Sequence, residues 1–151
     1  MNPPSLKARA LRLLAQREHT RYELERKLAH HEQTPGELAQ ALDALQAKGF
    51  INEQRVVESV VHRRASKLGA ARVRQELQAK GVDPQAIADA VDHLRGTELT
   101  RANEVWRKKF DAPATDATAR AKQIRFLIAR GFSAEVVRRV VAGSEDIDIE
   151  A

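Results

Sequence analysis

The sequence predicts an all-α chain, three tandem three-helix repeats forming an elongated, curved body, and three observations carry that prediction. Thr34-Pro35-Gly36-Glu37-Leu38-Ala39-Gln40-Ala41-Leu42 lies over Asp83-Pro84-Gln85-Ala86-Ile87-Ala88-Asp89-Ala90-Val91 at an offset of 49, and over Ser133-Ala134-Glu135-Val136-Val137-Arg138-Arg139-Val140-Val141 a further 50 along. Apolar residues recur at helical spacing throughout, and nearly every break in the pattern carries a capping side chain or a glycine. The expected boundaries are 5–51, 52–96 and 97–143, followed by an acidic tail 144–151. A unit laid down three times points to a function spread over a surface that spans units.

Each element follows from local chemistry. Leu11 and Leu14 begin the stripe of a first helix that starts near Ser5 and stops by Glu18-His19. Thr20-Arg21-Tyr22-Glu23 is a capping box, which starts a second helix burying Leu24 and Leu28. Thr34-Pro35-Gly36-Glu37 reads as the same device with Pro35 in the first helical position, opening a third helix with Leu38, Leu42 and Leu45 on one face and Gly49 at its end. In the second unit Val57, Val60 and Val61 define one helix, Gly69 breaks the pattern, Val73 and Leu77 define the next, and Gly81 is placed where a left-handed residue is wanted. Asp83 and Pro84 start a helix burying Ile87, Val91 and Leu94. The third unit places Val105, Trp106 and Phe110 on its first helix, Ile124 and Leu127 on its second, and Val137, Val140 and Val141 on a third capped by Ser133. The loop Asp111 to Asp116 is the expected flexible joint, and fraying is expected from Ser144 onward.

Composition excludes several classes. With 42% apolar but 4% aromatic residues, the core material is Leu, Val and Ala, suited to many thin helix contacts. The lack of cysteine removes disulfides and thiolate chemistry. No signal-peptide or membrane-length apolar run occurs, so a cytoplasmic location without membrane contact is expected. His30 and His31 are adjacent and have no partner at i+4, Glu23, Glu37 and Asp83 are read as caps, and the glycines stand singly. Neither a metal nor a cofactor nor catalysis is therefore expected.

Charge supplies the positive signal. Residues 55–80 carry 7 basic and 2 acidic side chains and residues 101–139 carry 10 and 4, whereas residues 81–100 carry 1 and 4. Two basic blocks separated by an acidic one are either solvated helix faces, the commoner case, or the footprint of a polyanionic partner. The candidate contacts are Arg55, Arg63, Arg64, Lys67, Arg72 and Arg74 in the first block and Arg107, Lys108, Lys109, Arg120, Lys122 and Arg125 in the second. Trp106 and Phe110, four apart, read first as core packing.

The residues also resemble a known family. Ala10-Leu11, Leu13-Leu14, Arg17, Thr20, Glu23-Leu24, Lys27-Leu28, Leu42, Leu45, Gly49-Phe50-Ile51-Asn52-Glu53 and Arg55 are similar to the RecX regulators of the RecA recombinase. The likeness continues through Arg63, Arg64, Gly69, Arg72-Val73, Glu76-Leu77 and Lys80-Gly81-Val82, and reaches the last unit at Arg130-Gly131-Phe132. Where that family shows two aspartates followed by Arg, Phe and Ala, this chain has Asn52-Glu53-Gln54-Arg55-Val56-Val57, which keeps a cap and an apolar pair. The resemblance implies a non-catalytic monomer that binds the RecA filament on single-stranded DNA and suppresses its recombinase, coprotease and ATPase activities, touching DNA weakly and without sequence preference if at all. The alternative is a winged-helix transcription regulator, with Glu37 to Ile51 as recognition helix and wing entry; the helical spacing of Asn52 to Ser66, where a wing would stand, and the repeat of the unit argue against it.

Overall fold

The computed structural model describes residues 2–143. The expected fraying of Ser144 to Ala151 lies outside the described residues. Among those described there are nine α-helices and no strand: α1 (Leu6–Gln16), α2 (Arg21–Leu28), α3 (Glu37–Ala47), α4 (Glu53–Arg64), α5 (Ala70–Ala79), α6 (Pro84–Arg95), α7 (Glu98–Lys109), α8 (Ala117–Ala129) and α9 (Ala134–Val141). They group in threes, each around its own apolar core. Leu24, Leu28, Leu38, Leu42 and Leu45 fill the first core. Val57, Val60, Val73, Leu77, Val91 and Leu94 fill the second, and Ala102, Val105, Leu127, Phe132, Val137 and Val140 the third. Cores this thin, built from aliphatic side chains, leave each unit dependent on its neighbour.

Capping decides where most helices begin. Ser5, Asn52, Asp83, Asp116 and Ser133 each accept a backbone N–H of the following first turn, and Thr20 with Glu23 forms the reciprocal capping box. The expected device at Thr34 is different. Gly36, at φ 89°, is the N-cap of α3, and Pro35 lies in the turn before it. The Leu38 N–H donates instead to Glu32 Oε2 at 2.8 Å, and Glu37 reaches back to the N–H groups of Gln33 and Thr34. Thr34 lies two residues before the Gly36 cap, in the turn that its own carbonyl closes by accepting from the Glu37 N–H at 3.1 Å. In the loop after α7, Ala112 O accepts from Nε2 of buried Gln123 at 3.2 Å, and Gln123 Oε1 accepts from Trp106 Nε1 at 3.1 Å.

The units dock through one recurring contact. The N-terminal end of a unit's second helix meets the glycine turn after the second helix of the next unit. Thr20 Oγ1 donates to Lys80 O, and the Gly69 N–H donates to Arg130 O at 2.8 Å. The donors are 49 apart in sequence and the acceptors 50 apart, so the repeat read along the chain is also a repeat of the interface.

Candidate functional site

The first basic block forms around one carboxylate. α4 ends in His62, Arg63 and Arg64, where the helix's exposed carbonyls favour cations. Glu76 on α5 receives Arg64 Nε at 2.9 Å and lies 3.6 Å from Arg63 Nη2 and 4.0 Å from Lys80 Nζ. Three cations around one anion leave the cluster positive. Lys67 is exposed in the turn that follows, and half-buried Arg74 lines a cavity of about 420 Å³ with Arg95, Phe132 and Ser133, between the second and third units.

The second block lies on α7 and α8. Arg120, Lys122 and Arg125 are exposed along α8, and Arg107, Lys108 and Lys109 end α7. Phe126 sits beneath two cations, with Arg130 at 4.8 Å and Lys109 Nζ at 5.5 Å from its ring, and Phe110 meets it edge-on at 5.5 Å. Trp106 packs half-buried against the third core, as the sequence reading prefers.

Folding brings the two blocks together. Arg72 Nη1 donates to Ala129 O at 2.7 Å, which sets α5 against the end of α8. Lys122, Arg125 and Ala129 are three and four apart, so they share one face of α8. Arg72 and the end of α8, 57 positions apart in the chain, thus join the two basic blocks at the joint of units two and three.

Two of the expected contacts have structural duties. Arg55 donates through Nε to Glu18 Oε1 at 2.9 Å and through Nη2 to Gly49 O at 2.7 Å, which ties the first unit to the second. Arg72, bonded as above, packs against Gly131. A guanidinium with five donors is well suited to gathering carbonyls at such corners. Arg101, counted in the second block by composition, is a stronger case. Its Nη1 donates to Ala65 O and Leu68 O at 2.8 and 2.7 Å and its Nη2 to Leu94 O at 2.9 Å. Burial draws its pKa below the ordinary arginine value, with the Glu98 carboxylate opposing. Nothing local marks it, since its partners lie up to 36 positions away. The cation-capped Phe126 was also missed; the spacing of Phe126 and Arg130 was the available signal.

Near the joint of units one and two, Glu23 gathers Arg17 at 2.7 Å, the Thr20 N–H at 3.0 Å and Lys80 at 3.6 Å. Burial pushes this carboxyl up, but those hydrogen bonds and charges outweigh it and hold the pKa at about 2. Buried His19 bonds to Arg17 O through Nδ1 at 3.0 Å, which must therefore carry the proton, so Nε2 accepts from Lys27 Nζ at 3.0 Å. Burial holds its pKa below the usual histidine value, the Arg17 and Lys27 charges add to this, and the bond to Arg17 O opposes it. Among the described residues no three His, Asp, Glu or Cys side chains gather closely enough to hold a metal ion, and no helix is long and apolar enough to cross a membrane.

Comparison with known proteins agrees with this architecture unit by unit. The three-helix domains of RecX match in order: the first over residues 7–45, the second over 52–91 and the third over 97–141. A regulatory protein RecX from Leptothrix cholodnii is 56% identical over 137 residues, 91% of this chain and 87% of that protein. One from Ralstonia nicotianae is 46% identical over 143 residues, 95% of this chain and 90% of that one. The crystal structure of RecX from Lactobacillus salivarius superposes with a TM-score of 0.74 at 20% identity, covering 93% of this chain and 94% of that one, a likeness of fold alone. Matched along almost its whole length by domains in the same order, this chain belongs to the RecX family of regulatory proteins.

Proposed function

We propose that this chain is a monomeric regulator that binds the RecA filament on single-stranded DNA and inhibits its recombinase, coprotease and ATPase activities. The observation that supports this reading best is the contact between the two basic blocks at the second joint, where Arg72 of the first reaches Ala129 at the end of α8, the helix that carries Arg120, Lys122 and Arg125 of the second. A filament rich in phosphate and carboxylate attracts such a surface, and its spread over two units suits a long partner better than one small ligand. Lys67, Arg74, Arg107, Lys108, Lys109, Arg120, Lys122 and Arg125, with the Glu76 cluster of Arg63 and Arg64, are the proposed contacts, while Arg55 and Arg72 hold the units that present them. The winged-helix alternative loses its footing because α4 occupies the place of a wing.

The deciding experiment follows single-stranded-DNA-dependent ATP hydrolysis by RecA while this protein is titrated in. Progressive inhibition is expected; a flat response overturns the proposal. Direct contact with DNA is weak and insensitive to sequence in this reading, so affinity for an oligonucleotide should fall steeply with salt.

A further inference from the structure

The cleft between units two and three holds charges that the joint itself does not use. Its floor is apolar, formed by Ala70, Val91 and Phe132, all buried, with half-buried Val136 beside them. Arg74, Arg95, Glu98 and Glu135 also line it, and they differ in what they already hold. Both acids are engaged: Glu98 is buried, accepts the Ala70 N–H at 2.9 Å and has its charge beside that of Arg101, and Glu135 lies 3.6 Å from Arg139. Half-buried Arg74 and exposed Arg95 make no hydrogen bond or ion pair among the described residues. Each guanidinium keeps its donors for a group from outside, and both stand over an apolar floor.

We propose that this cleft binds an acidic peptide segment of a protein partner, its carboxylate on Arg74 and Arg95 and a neighbouring aliphatic side chain on the floor of Ala70, Val91 and Val136. Charge complementarity selects an anion, and the planar guanidinium matches the two oxygens of a carboxylate. Size and floor select the peptide. A volume of about 420 Å³ suits a small ligand or a few side chains. Phe132, the lining's one aromatic, is 3% exposed, so no ring face is open as the stacking platform that single-stranded nucleic acid uses. A run of phosphates would also bring successive charges up to Glu135, whereas a peptide can follow its carboxylate with an apolar residue. The lining comes from α5, α6 and α9, so the site exists only while units two and three are docked. This inference deepens the filament reading and rests on it for the source of the peptide: the cleft grips the filament's protein and not its DNA.

A fluorescein-labelled decapeptide of alternating leucine and glutamate tests the cleft without RecA or DNA. Its anisotropy should rise saturably with the full-length protein, and the double variant Arg74→Gln, Arg95→Gln should bind it about tenfold more weakly. Ala71→Glu keeps both arginines but places a carboxylate in the lining three residues before Arg74, in the first turn of α5 where helices accept acids, and should weaken binding as much. The double variant Arg12→Gln, Lys48→Gln removes two exposed charges from unit one and should leave binding unchanged. Circular dichroism and urea midpoints confirm that the variants fold alike, and Ala71→Glu decides the matter if the arginine pair does not. Equal weakening by the unit-one pair overturns the site, since net charge then accounts for binding. A serine and glutamate peptide that binds as tightly overturns it too, because the apolar floor then has no part. Oligothymidine that displaces the peptide as well as unlabelled peptide does assigns the cleft to nucleic acid, and a dimer in sedimentation that is lost in Arg74→Gln, Arg95→Gln assigns it to a second copy; either overturns the proposal. With RecA present, the arginine variant should need about fivefold more protein for half-inhibition. A full-length chain that binds the peptide through these arginines yet leaves RecA unaffected supports the cleft and overturns only the filament reading, whereas absent peptide binding beside intact inhibition overturns the cleft alone.

Discussion

The first joint, between units one and two, and the second, between units two and three, use the same geometry with different chemistry. At the first, the linking groups are side chains: Thr20 Oγ1 on Lys80 O, Glu23 facing Lys80, Arg55 facing Glu18, and the Tyr22 ring against Gly81. At the second they are mostly backbone: the N–H groups of Gly69 and Ala71 donate to Arg130 O and Gly131 O, Ala70 N–H donates to buried Glu98, and Arg101 clamps three carbonyls. The two basic blocks meet only at the second joint. The ionic joint responds to pH and salt and gives way to substitution gradually, whereas the backbone joint has no room to give, which suits the place where a binding surface must keep its shape.

The largest expected effects come from adding one methyl group. A Cβ on Gly69 would lie 2.3 Å from the carbonyl carbon and oxygen of Gly131, both backbone atoms. Gly69→Ala should therefore separate units two and three and lower stability by about 3 kcal/mol in urea unfolding. Gly81→Ala at the first joint meets the Tyr22 ring at 2.5 Å, a side chain that can swing aside, though φ of 74° adds strain. A loss of about 1 to 2 kcal/mol is expected there. A larger loss at Gly81 than at Gly69 breaks the comparison.

Arg101→Gln comes next, with an expected loss of about 2 kcal/mol in the same measurement, because Ala65 O, Leu68 O and Leu94 O lose a buried charged donor. Arg55→Gln at the first joint should cost about 0.5 to 1 kcal/mol, since its partner Glu18 is partly exposed and half of the pair is solvated.

What was legible in the sequence separates along the same line. Caps and glycine turns are decided by residues within four positions of each other, so Thr20 with Glu23, Asp83 with Pro84, and Gly81 could all be read directly. Apolar stripes likewise gave Leu24, Leu42, Val73, Leu77 and Val137 as core. The joints were opaque. Arg72 bonds a carbonyl 57 positions away and Arg55 a carboxylate 37 away, so in a list of basic residues they look no different from Lys67 or Arg125. Thr34 failed for a local reason: it closes the turn before α3 through its carbonyl, and Gly36, at positive φ, takes the cap.

Acid separates the joints by a different route. Glu23 has its folded pKa at about 2, below the value of 4.5 it has when unfolded, so its stabilisation is complete above about pH 4.5 and is lost as pH falls toward 2. His19 is also lowered, so the unfolded chain takes up its proton first and stability begins to fall as pH drops below 6.5. Both groups sit by the first joint. Urea midpoints at pH 7, 5 and 3 should decline by about 2 kcal/mol in total, with Glu23→Gln less stable at pH 7 but flatter below pH 4.5. An equally steep decline in Glu23→Gln would place the acid sensitivity elsewhere.

The smallest effect on stability is expected where the effect on function is expected to be largest. Lys67, Arg120, Lys122 and Arg125 are exposed and make no ion pair among the described residues, so changing all four to Glu should alter the melting free energy by less than about 1 kcal/mol. The same four changes replace attraction by repulsion at every site and should abolish inhibition of RecA. Arg72→Glu is the informative control, because it breaks the bond to Ala129 O and sets a carboxylate against that carbonyl and the Gly131 turn. It should lose both inhibition and about 2 kcal/mol of stability, through the joint and not through the contact. If the fourfold variant stays folded and still inhibits at wild-type concentration, these four side chains are a solvated face. Contact then falls to the Glu76 cluster or to Arg107, Lys108 and Lys109, and Glu76→Gln, which adds a net positive charge without altering Arg63 or Arg64, tells the two apart: tighter inhibition points to the cluster, and unchanged inhibition to the end of α7.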